Sequence, residues 1–224
     1  MSETTQKRIA ILGGTGQVGR GLALRWANAG HQVTIGSRST EKAAQTAREI
    51  NETVRHDAVV GATYREAAAA APIVVLTVPY AAQRSTVEEV RDLLAGKILI
   101  DSTVPLVPPK VARVQLPGGG SAVAAIQEML GGAVRVVSAF QNVPALLLLD
   151  LAHAVDCDVL VCGDDVAARE TVIQLIADLG MRALHAGPIV NSAATEALTS
   201  VLISINARYK SHAGIRITGL QTTE

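Results

Sequence analysis

Short apolar runs alternate with stretches in which apolar residues recur every three to four positions, through most of the chain. The first run, Ile9-Ala10-Ile11-Leu12, is partly β-branched and unbroken by polar residues, as a strand buried on both faces should be. Four glycines follow closely, and Val18, Leu22, Trp26 and Ala29 then repeat at helical spacing up to a stop at Gly30. The same reading predicts strands over 31–35, 58–60, 73–78, 97–101 and 134–139. Between them it predicts a helix ending near Asn51, an alanine-rich helix over 64–71, a helix over 81–94 and another beginning at Ser121. Pro105, Pro108, Pro109 and Pro117, with Gly118 to Gly120, mark an irregular loop before the last of these. Beyond Phe140 the alternation loosens. Residues 146–149 form a helix face, 157–162 a strand, and Asp164 or Asp165 caps a helix to Leu179. A strand over 182–185 and a long helix from Asn191 complete the chain, with Ala194, Leu198, Leu202 and Ile205 on one helix face.

Strands alternating with helices predict an α/β architecture: a Rossmann-type doubly wound parallel sheet with a smaller C-terminal α/β part. The division falls near residue 140, giving a dinucleotide domain over 1–140 and a smaller part over 141–224. Gly14, Gly16 and Gly19 stand in the Gly-x-Gly-x-x-Gly spacing between first strand and first helix. The first glycine makes the tight turn, the second lets the backbone approach a pyrophosphate, and the third lets helix and strand pack closely. Free amides at the helix start then face an anion. The end of the second strand chooses between dinucleotides. An NAD site carries an acid at that tip, but this chain reads Gly36-Ser37-Arg38-Ser39-Thr40-Glu41-Lys42. Ser37, the planar fork of Arg38 and Lys42 one turn into the next helix suit a 2′-phosphate, so NADP is expected.

Other chemistry is conspicuously thin. Tyr64, Tyr80 and Tyr209 each lack a lysine four positions on, no serine sits in a nucleophile elbow, and no metal-ligand spacing occurs. Asp164 and Asp165 read as helix caps rather than an acid-base pair. Missing proton donors fit a hydride passing between two stacked rings, where the protein supplies position and dryness. Tyr80 and Phe140 lie just past strand ends, where Tyr80 either stacks on a ring or closes the sheet edge. Cys157 and Cys162 lie five positions apart in one expected strand, so their side chains point to opposite faces and read as buried, inert thiols. Lys plus Arg and Asp plus Glu number 20 each, which argues against nucleic acid or an anionic membrane as a partner. Gly13 cuts the first apolar run short of a signal peptide or a membrane span, so the expected location is cytoplasmic.

Several blocks occur in order along nearly the whole chain: Gly13 to Gly19 with Arg20 to Leu24, Gly36-Ser37-Arg38 with Glu41-Lys42, and Leu76-Thr77-Val78-Pro79-Tyr80. Ser138-Ala139-Phe140, Val161-Cys162-Gly163-Asp164-Asp165 and Ala186-Gly187-Pro188 with Asn191-Ser192 continue the series. Together they closely resemble the NADPH-dependent coenzyme F420 reductases, also called F420:NADP oxidoreductases. The resemblance implies direct, reversible hydride transfer between NADPH C4 and deazaflavin C5, in a homodimer. It implies a cofactor loop at Gly14, Thr15, Gly16, Gln17, Val18 and Gly19, and a 2′-phosphate site at Ser37, Arg38 and Lys42. Thr77, Pro79, Tyr80 and Val104 fall on the nicotinamide side. Ala139, Gln141, Asn142 and Ala213 fall on the deazaflavin side, in a cleft against the C-terminal part. Arg208, Lys210 and His212 either meet the anionic deazaflavin tail or form a solvated basic terminus. Readings from other classes are a non-catalytic NADP sensor, an NADPH reductase of another flavin-type acceptor or of a metal centre, and a small-ketone reductase, the last weakened by the missing proton donor.

Overall fold

The structure is a computed structural model and describes residues 5–220. Strands β1 (Arg8–Leu12), β2 (Gln32–Gly36), β3 (Val59–Ala62), β4 (Ile73–Leu76), β5 (Ile98–Asp101) and β6 (Arg135–Ser138) form one sheet in the order β3-β2-β1-β4-β5-β6. Every pairing in it is parallel. The order reverses between β1 and β4, which opens a crevice at their carboxyl ends.

Alternation along each strand divides the core. Ile9, Ile11, Val33, Ile35, Val75, Ile100 and Val137 face one side, against helices α1 (Gln17–Asn28), α2 (Thr40–Val54) and, from the C-terminal part, α7 (Val166–Ala177). Ala10, Leu12, Val74, Leu76, Leu99 and Val136 face the other, against α3 (Tyr64–Ala70), α4 (Tyr80–Val90) and α5 (Ala122–Leu130). Burial on both sides explains why these strands read as unbroken apolar runs. The expected helix over 81–94 is α-helical to Val90 and then tightens into a 3-10 turn over Arg91–Leu93.

After β6 comes a single helical turn, α6 (Ala145–Leu148), held by α1. Gly21 of α1 faces Leu148 so closely that a β-carbon there would lie 2.5 Å from the leucine's own. One turn on, buried Arg25 donates to the carbonyls of Leu148 (3.0 Å), Leu147 (2.8 Å), Asp150 (2.6 Å) and His153 (2.8 Å). Four carbonyls of an irregular segment thus share one guanidinium.

Strands β7 (Asp158–Val161) and β8 (Arg182–His185) form a second, parallel pair beside α7, joined to the main sheet by a bridge between Ser138 and Cys162. Asp165, not Asp164, caps α7, accepting from Ala168 N at 2.7 Å, while Asp164 accepts from Ile189 N at 3.0 Å. Cys157 and Cys162 are buried and free, and burial pushes both thiols up to about 11.

The last helix, α8 (Ser192–Tyr209), departs from its sequence pattern. Its buried residues are Ser192, Thr195, Glu196, Ser200 and Leu202, whereas Ala194 is exposed, Leu198 only half-buried and Ile205 37% exposed. Of the expected apolar stripe only Leu202 is fully inside. A polar face turns inward because hydrogen bonds, described below, fix the rotation of the helix.

The tail packs against β7. Buried Asp158 accepts two hydrogen bonds from Arg182 (2.7 and 2.6 Å) and one from Ile217 N (2.6 Å). Chiefly through the Arg182 bonds its carboxyl is held down to about 2. A carboxyl lowered in the folded state stabilises the fold above its unfolded pKa and loses that contribution as pH falls through the folded value. Stability from this pair is therefore complete above about pH 4 and lost toward about pH 2. The Asp158→Asn protein should be about 3 kcal/mol less stable at neutral pH, with a flatter stability profile across that acid window. Urea unfolding midpoints at a series of pH values check both.

Candidate active site

The glycine turn closes β1 onto α1 with almost no spare room. Gly13 takes the left-handed conformation at φ +89°, and a β-carbon on it would stand 2.9 Å from the Thr77 carbonyl oxygen. The tight turn expected at Gly14 is therefore made one residue earlier. Gly14 instead packs against Ile35 of β2, where an added β-carbon would meet its Cγ2 at 2.8 Å. Gly19 is the most tightly enclosed of the turn glycines, since a methyl group on it would lie 2.5 Å from Thr77 Oγ1 and 2.7 Å from Gly13 O. Gly16 stands at the N-cap of α1 with no side-chain cap, so the first amides of the helix are free to meet an anion.

At the tip of β2, Ser37 is buried and its hydroxyl oxygen accepts from Ser39 N at 3.2 Å. Ser39 caps α2, accepting from Lys42 N at 3.3 Å. Arg38 and Lys42 are not buried and, among the described residues, form no ion pair. Two unpaired cations beside a helix N-terminus and a buried hydroxyl fit a phosphate.

A cleft of about 700 Å³ opens beside the glycine turn at the carboxyl ends of the strands. It brings Gly16, Gln17 and Val18 together with Thr77, Pro79, Tyr80, Val104 and Gln141. Its walls are mostly apolar, and Tyr80 is the one titratable side chain that lines it among the described residues. A smaller chamber of about 200 Å³ shares Gln141 and Val143 with the cleft and reaches Asn142, His212 and Ala213. Thr15 lies elsewhere, in a cavity of about 370 Å³ on the α1–α2 side, with Gln17 between the two spaces. Ser37, Arg38 and Lys42 line none of these cavities and stand apart at the β2 tip. Ala139 is fully buried in the core and lines no wall, its N–H reaching Asp101 O at 3.3 Å. Asn142 is engaged structurally: its side-chain amide donates to Thr195 O (2.8 Å) and Thr199 Oγ1 (3.1 Å), tying the segment to α8.

Three features of the site are not apparent from local sequence patterns. Phe140 lines the cleft with φ at +75°, a backbone state that bulky residues rarely adopt, and its ring meets Trp26 edge-on at 5.9 Å. Asp101 is wholly buried at the end of β5, accepting from Gln83 Nε2 at 2.6 Å and Thr103 N at 2.8 Å, and burial raises its pKa. Glu196 of α8 sits on the N-terminus of α5, accepting from Ser121 Oγ (2.6 Å), Ala122 N (2.8 Å) and Val123 N (3.2 Å). Burial raises the Glu196 pKa, and those hydrogen bonds oppose the rise. One signal does mark it: Glu196 is the sole acid between Asp178 and Glu224.

Known proteins share both sequence and shape. The family described as "NADP oxidoreductase coenzyme F420-dependent" matches residues 8–105. An F420-dependent NADP reductase of Methanocaldococcus jannaschii is 41% identical over 96% of this chain and 99% of its own length. The chain belongs to this family. The F420-dependent NADP reductase of Methanothermobacter thermautotrophicus is 42% identical over 97% of each chain. A crystal structure of a protein assigned as an F420-dependent NADP reductase, from Arthrobacter sp. FB24, superposes with a TM-score of 0.80 at 30% identity, covering 95% of this chain and all of that one. Rossmann-type α/β architecture and membership of the coenzyme F420-dependent oxidoreductases thus agree with the sequence expectation. Among the described residues no cluster of His, Cys, Asp or Glu could hold a metal, and no helix is long and apolar enough to cross a membrane.

In this family member Gly19 is the tightest point of the turn. Gly19→Ala should push α1 away from Thr77 and weaken NADPH binding about tenfold or more, with a smaller loss of thermal stability. Fluorescence titration with NADPH and a melting curve separate the two effects.

Proposed function

We propose that this chain catalyses reversible, direct hydride transfer between NADP(H) and coenzyme F420. The observation that carries the reading is the cleft itself, which runs from the dinucleotide turn into a mostly apolar chamber nearly free of titratable side chains. In the forward direction the C4–H bond of NADPH breaks, the hydrogen moves with both bonding electrons to C5 of the deazaflavin, and N1 of the reduced deazaflavin takes the balancing proton from solvent. No protein acid is needed, so the chain's task is to hold two rings face to face and keep water out. Gly14, Thr15, Gly16, Gln17, Val18 and Gly19 cradle the pyrophosphate, and Ser37, Arg38 and Lys42 hold the 2′-phosphate. Thr77, Pro79, Tyr80 and Val104 take the nicotinamide side. The deazaflavin lies toward Ala139, Gln141, Asn142 and Ala213, with Ala139 shaping the wall from behind.

The working division is a dinucleotide part over 1–140 and a smaller part over 141–224. Two free cysteines suit a reducing compartment, and we place the protein in the cytoplasm. A homodimer is supported by the outward face of α8, where Val201, Ile205 and Tyr209 are 44%, 37% and 74% exposed. Ile205→Glu should shift a dimer to monomers in sedimentation velocity, with the melting temperature little changed.

The direct test follows loss of the oxidised deazaflavin's long-wavelength absorbance after adding NADPH, with NADH and riboflavin as controls. Rapid bleaching with NADPH and coenzyme F420 together is the expected result. Tight NADPH binding without bleaching would overturn the acceptor and favour a non-catalytic sensor or another flavin-type acceptor. Arg38→Glu should raise the KM for NADPH at least about tenfold at nearly unchanged kcat and narrow the preference over NADH, as loss of a ground-state anchor requires.

A further inference from the structure

Thr103 and Gln141 both line the main cleft, both are buried, and each leaves one polar atom without a partner, Thr103 Oγ1 and Gln141 Oε1. A third such atom, Ser138 Oγ, belongs to β6 opposite Asp101 and lines no part of the cleft. Buried polar atoms are nearly always satisfied, so two orphans on residues that line the same cleft point to a ligand.

Their orientation is fixed from behind. Gln141 Nε2 donates to the Asp101 carbonyl oxygen at 2.8 Å. A carbonyl can only accept, so the amide nitrogen must face Asp101 and Oε1 is the atom left for another partner. Thr103 N donates to Asp101 Oδ1 at 2.8 Å, and Gln83 Nε2 holds the other carboxyl oxygen at 2.6 Å. One buried residue at the end of β5 thereby sets both groups. Gln141 Oε1 accepts only, whereas the Thr103 hydroxyl can donate.

We propose that Thr103 Oγ1 and Gln141 Oε1 form a subsite for an amide edge, Gln141 accepting from the ligand N–H and Thr103 donating to the ligand carbonyl. The proposal rests on the hydride-transfer reading, under which two ligands carry such an edge: the carboxamide of nicotinamide and the N3–H/C4=O edge of the deazaflavin. Both offer the same chemistry, and analogues lacking the N–H tell them apart.

In the 3-acetylpyridine analogue of NADP(H) a methyl replaces the carboxamide nitrogen, and in an N3-methyl deazaflavin a methyl replaces the hydrogen on N3. Wild-type protein should bind one of these about tenfold or more weakly than its parent, because a buried acceptor loses its donor. Gln141→Leu should bind that analogue and its parent alike. Thr103→Val should weaken the parent about tenfold, with Thr103→Ser restoring it. Circular dichroism checks that the variants are folded, and the wild-type analogue comparison needs no variant at all. Equal binding of both analogues and their parents by wild-type protein would overturn the subsite, as would discrimination that survives in Gln141→Leu. Failure of the hydride-transfer reading is visible separately, since wild-type protein would then leave coenzyme F420 unbleached while the dinucleotide titrations still report on the carboxamide arm.

Discussion

Helix α1 is squeezed from two sides at positions where no β-carbon fits. On one side Gly19 touches Thr77 and Gly13, and on the other Gly21 touches Leu148. The glycine turn, the crossover point of the sheet and the segment that walls the cleft are therefore all referenced to a single helix. Arg25 extends the contact by a full turn, its guanidinium gathering carbonyls from the segment 147–153. Close approach of backbone to backbone leaves little compliance, since packed interiors do not absorb a methyl group without displacement. Site geometry follows from this stack more than from any side chain that lines the cleft.

Much of this is legible in the residues. Strands buried on both faces announce themselves as β-branched runs, and the glycine spacing between the first strand and the first helix announces the Rossmann-type sheet. Local patterns mislead where a long-range hydrogen bond outweighs them. Helix α8 has an apolar stripe that reads as its buried face, yet Glu196 and Ser192 turn the polar side inward, Ser192 meeting Ser121 at 2.6 Å. Gly13 takes the turn expected at Gly14 because only the three-dimensional approach of Thr77 distinguishes them. Nothing in the sequence around Phe140 announces a left-handed aromatic residue. Its ring packs edge-on against Trp26, set in a helix far back along the chain.

The cleft combines apolar walls with a few polar atoms whose directions are fixed by buried partners. Asp101 contributes no charge to the cavity surface; its effect is delivered through the groups it holds. Buried carboxyls of this kind are costly to desolvate and are retained where their hydrogen bonds fix an arrangement that packing alone would leave loose. Position without a protein acid is the chemical demand made of this site, and a rigid polar underlayer below an apolar surface meets it.

Glu196 joins two helices that lie far apart in the chain, and it does so through a polar contact with direction rather than through shape. A helix packed by apolar shape can roll slightly as its neighbours change. Helix α8 is instead keyed, like a shaft in a slot, because rolling would pull the carboxylate off the amides of α5. Its two sides consequently answer to separate constraints. The inward side must keep one acid in register with one helix end, while the outward side can drift in sequence, and with it whatever that surface meets, without disturbing the wall of the cleft.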